Sequence, residues 1–154
     1  MTIRVVFVCL GNICRSPMAH GLFAHLVKEA GLDGRIEVDS CGTGSWHVGE
    51  PPHRDTQRIL ERHGIQLHHH ARQIERADLE EADYLIALDR SNLADLQLME
   101  PKRAEVGLLL DYAPDVPHRD VPDPYYTGRF EEVFEMVEAG CRGLLAYIRQ
   151  REGF

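Results

Sequence analysis

The apolar positions of this chain fall into two rhythms. Residues 3–8, IRVVFV, are apolar and β-branched almost without a break, the pattern of a strand covered on both faces. RIEVDS (35–40) and ADYLIALD (82–89) read as two further short strands, and EVGLLLDY (105–112) as a fourth. Between them the period lengthens. Met18, Leu22, Phe23, Leu26, Val27 and Ala30 recur at helical spacing, with Ser16 and Pro17 as N-cap and first-turn residues and Gly31 as the stop. Pro51 and Pro52 lead into a helix that carries Ile59 and Leu60 and ends at Gly64, and Asp89 is placed to cap the segment RSNLADLQLM. A last helix, about 129–150, lines up Phe130, Val133, Phe134, Val137, Cys141, Leu144, Leu145 and Ile148 on one face.

Strands that alternate with helices predict a three-layer, doubly wound α/β fold, with a four-stranded parallel sheet flanked by helices on both faces. At 154 residues, without repeats or linker-like stretches, the expectation is one domain over 1–154. Sheets of this kind keep their ligands outside the carboxyl ends of the strands, near a reversal in strand order. Cys9 follows the first strand directly and so falls where such a fold does its chemistry.

Composition narrows the picture. A formal charge of −8 argues against a nucleic-acid binder, which would present a basic face. Of the 17 basic residues only Lys28 and Lys102 are lysines. The four cysteines, Cys9, Cys14, Cys41 and Cys141, are not needed as disulfides in a chain that can bury a core of this size. The first apolar run, VVFVCL, is too short for a signal-peptide core or a membrane span. These features predict a cytoplasmic protein with free thiols and no membrane insertion.

The loop after the first strand carries the chemistry. From Cys9 the chain reads C-L-G-N-I-C-R-S, a cysteine and an arginine separated by five residues at the entry to a helix. A strand-to-helix loop can turn the backbone N–H groups of Leu10, Gly11, Asn12, Ile13 and Cys14 inward as an anion nest, and the helix dipole adds positive potential there. Gly11 and Asn12 are residue types that accept the unusual φ values such a loop demands. Arg15 adds a permanently charged fork for two phosphate oxygens. This is not a nucleotide P-loop, because the chain has no Gly-Lys pair. A thiol in such surroundings should have its pKa lowered from about 8.5 to between about 3.5 and 7.5, making Cys9 a thiolate able to attack a bound phosphorus. Cleaving a phosphate ester also requires an acid for the leaving oxygen, and the proline-rich loop offers Asp115, Asp120 and Asp123. HHH (68–70) does not make a metal site, since three consecutive residues cannot all face one ion from regular structure.

VCLGNICRSPMA (8–19) resembles, almost residue for residue, the signature of the low-molecular-weight protein tyrosine phosphatases. The likeness continues through GTGSWHVGEPP (42–52), HARQI (70–74), DYLIALDRSNLADL (83–96) and DPYY (123–126), in the family's order and spacing. The resemblance implies a metal-free phosphotyrosine phosphatase without cofactors. Cys9 would be the nucleophile, Arg15 the phosphate clamp and Asp123 the general acid and base. It further implies that Trp46 and the pair Tyr125 and Tyr126 wall the cleft that receives the phosphotyrosine ring. Asn12 would hold the loop through Ser40 and His69, and Ser16 would help Cys9 leave. Cys14 matches the family's second loop cysteine, which either forms a reversible disulfide with Cys9 or is a plain buried thiol.

The resemblance also defines the rivals. A thioredoxin-coupled arsenate reductase needs relay cysteines after the third strand, and residues 83–95 contain none. Protein-arginine phosphatases tend to carry Thr before the second loop cysteine and to lack the paired tyrosines, whereas this chain has Ile13, Tyr125 and Tyr126. Phosphocysteine carriers lack the arginine and the acid. The expected partner is a phosphotyrosine-bearing protein, with phosphate and similar oxyanions also bound, and the expected state is a monomer or weak homodimer.

Overall fold

The computed structural model describes residues 2–154. β1 (Ile3–Cys9) is the central strand. It pairs in parallel with β2 (Ile36–Gly42) on one side and β3 (Tyr84–Ala87) on the other, and β3 pairs in parallel with β4 (Glu105–Leu108), giving the order β2-β1-β3-β4. Parallel neighbours require crossovers, and helices supply them. α1 (Arg15–Glu29) follows β1; α2 (Arg54–Arg62) and α3 (Arg76–Glu81) lie between β2 and β3. α4 (Arg90–Leu98) joins β3 to β4, and α5 (Pro124–Thr127) and α6 (Phe130–Glu152) close the chain.

The unbroken apolar run of β1 is explained by two cores. Ile3, Val5, Phe7 and Cys9 face the larger one, shared with Phe23, Leu60, Val137 and Leu144 from α1, α2 and α6. Val6 and Val8 face the smaller one, with Leu85, Ala87, Leu96 and Leu108. Phe7 and Phe23 meet edge to face with centroids 5.4 Å apart, fastening α1 to the sheet. Each such side chain contributes about 1.5–3 kcal/mol by leaving water. The chain leaves β1 for β2 on one side and returns to β3 on the other, so the order reverses at the end of β1, next to Cys9.

Several element boundaries differ from the sequence reading. The fourth strand stops at Leu108 and tightens into a 3₁₀ turn, Leu109–Tyr112. Leu109 and Leu110 are both buried in the larger core, which an edge strand with alternating side chains could not achieve. The third strand is shortened because Ala82 ends α3, a helix with Leu79 as its one large apolar residue and therefore no periodic signal. Ser16 is not the N-cap of α1. The cap position is Cys14, and Ser16 and Pro17 lie inside the first turn.

Candidate active site

Cys9 is the last residue of β1 and is 3% exposed. The loop from Leu10 to Cys14 curls over it, and α1 begins at Arg15 without a side-chain cap or an acidic residue in its first turn. The terminal amides of α1 are thus left for an outside acceptor, the condition for holding an oxyanion. Asn12 takes the left-handed conformation, φ 57°, which its short polar side chain tolerates. Gly11 is not in that region; its missing side chain instead makes room for His47, whose Cδ2 would lie 3.0 Å from a Cβ there. Gly42, at the end of β2, backs the loop so closely that a Cβ would sit 2.7 Å from the Leu10 carbonyl oxygen.

The polarity of the network under the loop follows from one unambiguous donor. The Arg72 backbone N–H donates to Asn12 Oδ1 at 3.1 Å, so the amide nitrogen of Asn12 faces the serines. It donates to Ser16 Oγ at 2.8 Å and to Ser40 Oγ at 3.1 Å. His69 Nε2, 2.8 Å from Asn12 Oδ1, must then carry its proton and donate as well. With its oxygen accepting from Asn12, Ser16 turns its own proton to Cys9 Sγ at 2.9 Å, and the Asn12 N–H approaches the same sulfur at 3.3 Å. Two donors therefore converge on Cys9. His20 extends the chain outward, with Nδ1 2.9 Å from Ser40 Oγ.

Arg15 is 4% exposed and comes from the first turn of α1. Its Nη1 donates to Asp89 Oδ2 at 2.6 Å and to the Val121 carbonyl at 2.9 Å, and its Nη2 stands 3.6 Å from Asp123 Oδ2. Burial opposes its charge, but Cys9, the Asp89 hydrogen bond and Asp123 outweigh burial and push its pKa up. Asp89 also caps α4 by accepting from the Asn92 N–H at 2.7 Å, so the one residue orients both α4 and the clamp. Sequence reasoning found the first role and missed the second.

The segment with the acid is anchored just beyond the end of β3: Val121 N–H donates to the Leu88 carbonyl at 2.9 Å. Asp123 then caps α5 by accepting from the Tyr125 N–H at 3.1 Å. Of the three candidate acids, Asp123 alone lines the cleft; Asp120 is bound to Arg90 on the surface, which holds its carboxyl below the usual range. The cleft, about 400 Å³, is lined by Cys9 through Arg15, by Trp46, His47 and Asp123, and by Tyr125 and Tyr126. Trp46 is 71% exposed and folds flat over Gly44, where any Cβ would collide with its ring. Thr43 and Gly44 tie this segment to the loop through the Cys9 and Leu10 carbonyls, both at 2.9 Å. Ser16, Ser40 and His69 lie behind the cleft. His47, hydrogen-bonded to Glu50 at 2.8 Å, was missed; its one sequence signal was its place beside Trp46.

All four cysteines are buried and free. Burial, Asp123 and Cys9 push the Cys14 thiol up to about 12 against the smaller effects of Arg15 and Thr56. Cys41 and Cys141 are fully buried, and burial pushes both thiols up.

Fold and cleft together define a thiol enzyme that binds oxyanions at the switch point of a doubly wound sheet. A family model, low molecular weight phosphotyrosine protein phosphatase, matches residues 4–152. The chain belongs to this family and is a cysteine-dependent protein-tyrosine phosphatase. It is 49% identical over 153 residues to low molecular weight protein-tyrosine-phosphatase YfkJ of Bacillus subtilis, covering 97% of this chain and 98% of that one. It is 48% identical over 158 residues to a low molecular weight protein-tyrosine-phosphatase of Streptomyces coelicolor, covering 98% and 96%. The crystal structure of YfkJ superposes with a TM-score of 0.94 over 98% of this chain and 97% of that one. That of DARP, a Drosophila arginine phosphatase 33% identical, superposes with a TM-score of 0.90 over 96% and 98%.

Proposed function

We propose that the chain acts as one domain and divides phosphotyrosine hydrolysis among Cys9, Arg15 and Asp123 in two steps. Cys9 Sγ attacks phosphorus and forms an S–P bond while the P–O bond to the ring breaks. The electron pair leaves with the phenolic oxygen, which takes a proton from Asp123. Water, deprotonated by the same carboxylate, then attacks phosphorus. The S–P bond breaks, the thiolate returns and phosphate leaves. Arg15 and the amides of Leu10, Gly11, Asn12, Ile13 and Cys14 bind the three equatorial oxygens, and Ser16 stabilises the departing thiolate. Asn12, Ser40 and His69 hold the loop in place.

The reading rests on one observation above the others: a single cleft joins Cys9, Arg15 and Asp123 to three exposed aromatic rings. Trp46, Tyr125 and Tyr126 offer flat surface to a phenyl phosphate, and a ring stacked there adds binding to the capture of the phosphate. Phosphoarginine is the competing substrate, given the likeness to DARP. Ile13 in the loop and the paired tyrosines favour the aromatic ester. Assaying phosphotyrosine, phosphoarginine and arsenate side by side tests the assignment. Phosphotyrosine should give the largest kcat/KM, chelators should not change it, and Cys9→Ser should abolish it. A larger kcat/KM for phosphoarginine, or full activity in Cys9→Ser, would overturn it.

The substrates are phosphoproteins. Among the described residues no helix is long and apolar enough to cross a membrane. A cytoplasmic enzyme, monomeric or weakly dimeric, fits the free thiols and the acidic surface.

A further inference from the structure

Behind the catalytic loop, three elements bring three ligand-bearing side chains together: His20 from α1, Asp39 from β2 and His69 from the segment before α3. A ligand atom of each lies within 4.8 Å of those of the other two. We propose that His20, Asp39 and His69 form a binding site for a divalent transition-metal ion of the Zn²⁺ type, separate from the cleft that holds Cys9.

The protonation pattern already derived carries the argument. Because His69 Nε2–H donates to Asn12 Oδ1, the neutral ring has its lone pair on Nδ1. That nitrogen lies 4.0 Å from Asp39 Oδ1, which brings two electron-pair donors close together. A ring whose other N–H is held by a carbonyl oxygen is the arrangement that orients metal-ligating histidines. His20 meets the His69 ring edge on at 5.0 Å and is itself fixed by Ser40 through Nδ1.

Charge does not forbid a cation. Arg4 and Arg72 bind Asp39 through Oδ2, at 3.3 and 3.0 Å, and Oδ1, which accepts from the Ser40 N–H at 2.8 Å, keeps a second lone pair for a ligand. Arg72 is also gripped by both oxygens of Asp78 at 2.8 Å, and Arg4 stands 3.8 Å from both Glu37 and Asp78, so three carboxylates share the two arginines. Two imidazoles and one carboxylate suit Zn²⁺ or Co²⁺ better than Mg²⁺ or Ca²⁺, and they leave a fourth position for water. Tetrahedral ligands about 2.0–2.2 Å from Zn²⁺ are about 3.3–3.6 Å apart, so side-chain movements of an ångström or so would close the site. The histidine run 68–70 contributes one member here, and its two partners come from elsewhere in the fold.

Zn²⁺ titration by calorimetry into the Cys9→Ser protein tests the site without the reactive thiol and without turnover, so the result does not depend on the phosphatase mechanism. The expected result is saturable binding of one ion, weakened at least tenfold in Cys9→Ser/His20→Gln and in Cys9→Ser/Asp39→Asn. A readout that needs no further substitution is NMR with Co²⁺, which should shift the imidazole protons of His20 and His69 together. Absence of binding in Cys9→Ser, affinity in either double variant undiminished from that of Cys9→Ser, or Co²⁺ shifts confined to His68 and His70 would each overturn the proposal.

Discussion

Replacing Asn12 with alanine removes the piece that connects the loop to the rest of the protein. Asn12 is 1% exposed and makes four side-chain hydrogen bonds, to Ser16, Ser40, His69 and the Arg72 backbone. Alanine leaves the His69 Nε2–H and the Arg72 N–H without their acceptor, at about 1–3 kcal/mol each. Alanine also fits φ 57° worse than asparagine by about 1 kcal/mol. The expected loss is about 3–7 kcal/mol, a large part of the roughly 5–15 kcal/mol that stabilises a domain, and about 6–28 °C in Tm. Urea unfolding followed by far-ultraviolet circular dichroism measures it. Fluorescence is the wrong probe, because the sole tryptophan, Trp46, sits exposed in the cleft. Asn12→Gly serves as the control: it relieves the backbone strain and should recover only about 1 kcal/mol. Full recovery by glycine, or an alanine variant within about 1 kcal/mol of the parent, would refute the assignment of the loss to hydrogen bonding.

Asp123→Ala should lower kcat/KM about 10²–10⁴-fold on phenyl phosphates with poor leaving groups and far less on p-nitrophenyl phosphate; an equal fall in kcat/KM across a leaving-group series would contradict a general acid. Trp46→Ala should raise KM for aryl phosphates about tenfold, with unfolding unchanged because the ring is 71% exposed. His20 has its pKa depressed from 6.5 to about 4, so the unfolded chain binds its proton more tightly. Its contribution is complete above about pH 6.5 and is lost as pH falls toward 4, on the order of 3 kcal/mol in all. Urea midpoints at pH 7 and pH 5 should show this slope, and His20→Gln should flatten it.

The parts of the fold legible in the sequence were those with strong periodicity. The run 3–8 announced a doubly covered strand, and the face from Phe130 to Ile148 announced the last helix. α3 was invisible because six residues with a single large apolar side chain have no period; its one trace was Glu75 with Asp78, which form a capping box. Ser16 and Pro17 looked like a helix start by residue type, but tertiary structure gives the Ser16 hydroxyl to Cys9 and Asn12, and the helix begins earlier. Within the site, Cys9 and Arg15 stood out because they lie together on one loop. Asp123 needed the family likeness, since three aspartates compete in sequence and only the fold brings one to the cleft. His20, Arg72 and the second role of Asp89 depend on contacts across 20 or more residues, which no local pattern encodes.

The central claim is that Cys9 carries the phosphoryl group. Mixing the enzyme rapidly with phosphotyrosine, quenching the reaction and analysing peptides by mass spectrometry tests it most directly. One phosphate per chain should appear on Cys9, accumulate in Asp123→Ala when p-nitrophenyl phosphate, which needs no acid, is the donor, and be absent from Cys9→Ser. A phosphorylated histidine, or turnover with Cys9 unmodified at every time point, would contradict it.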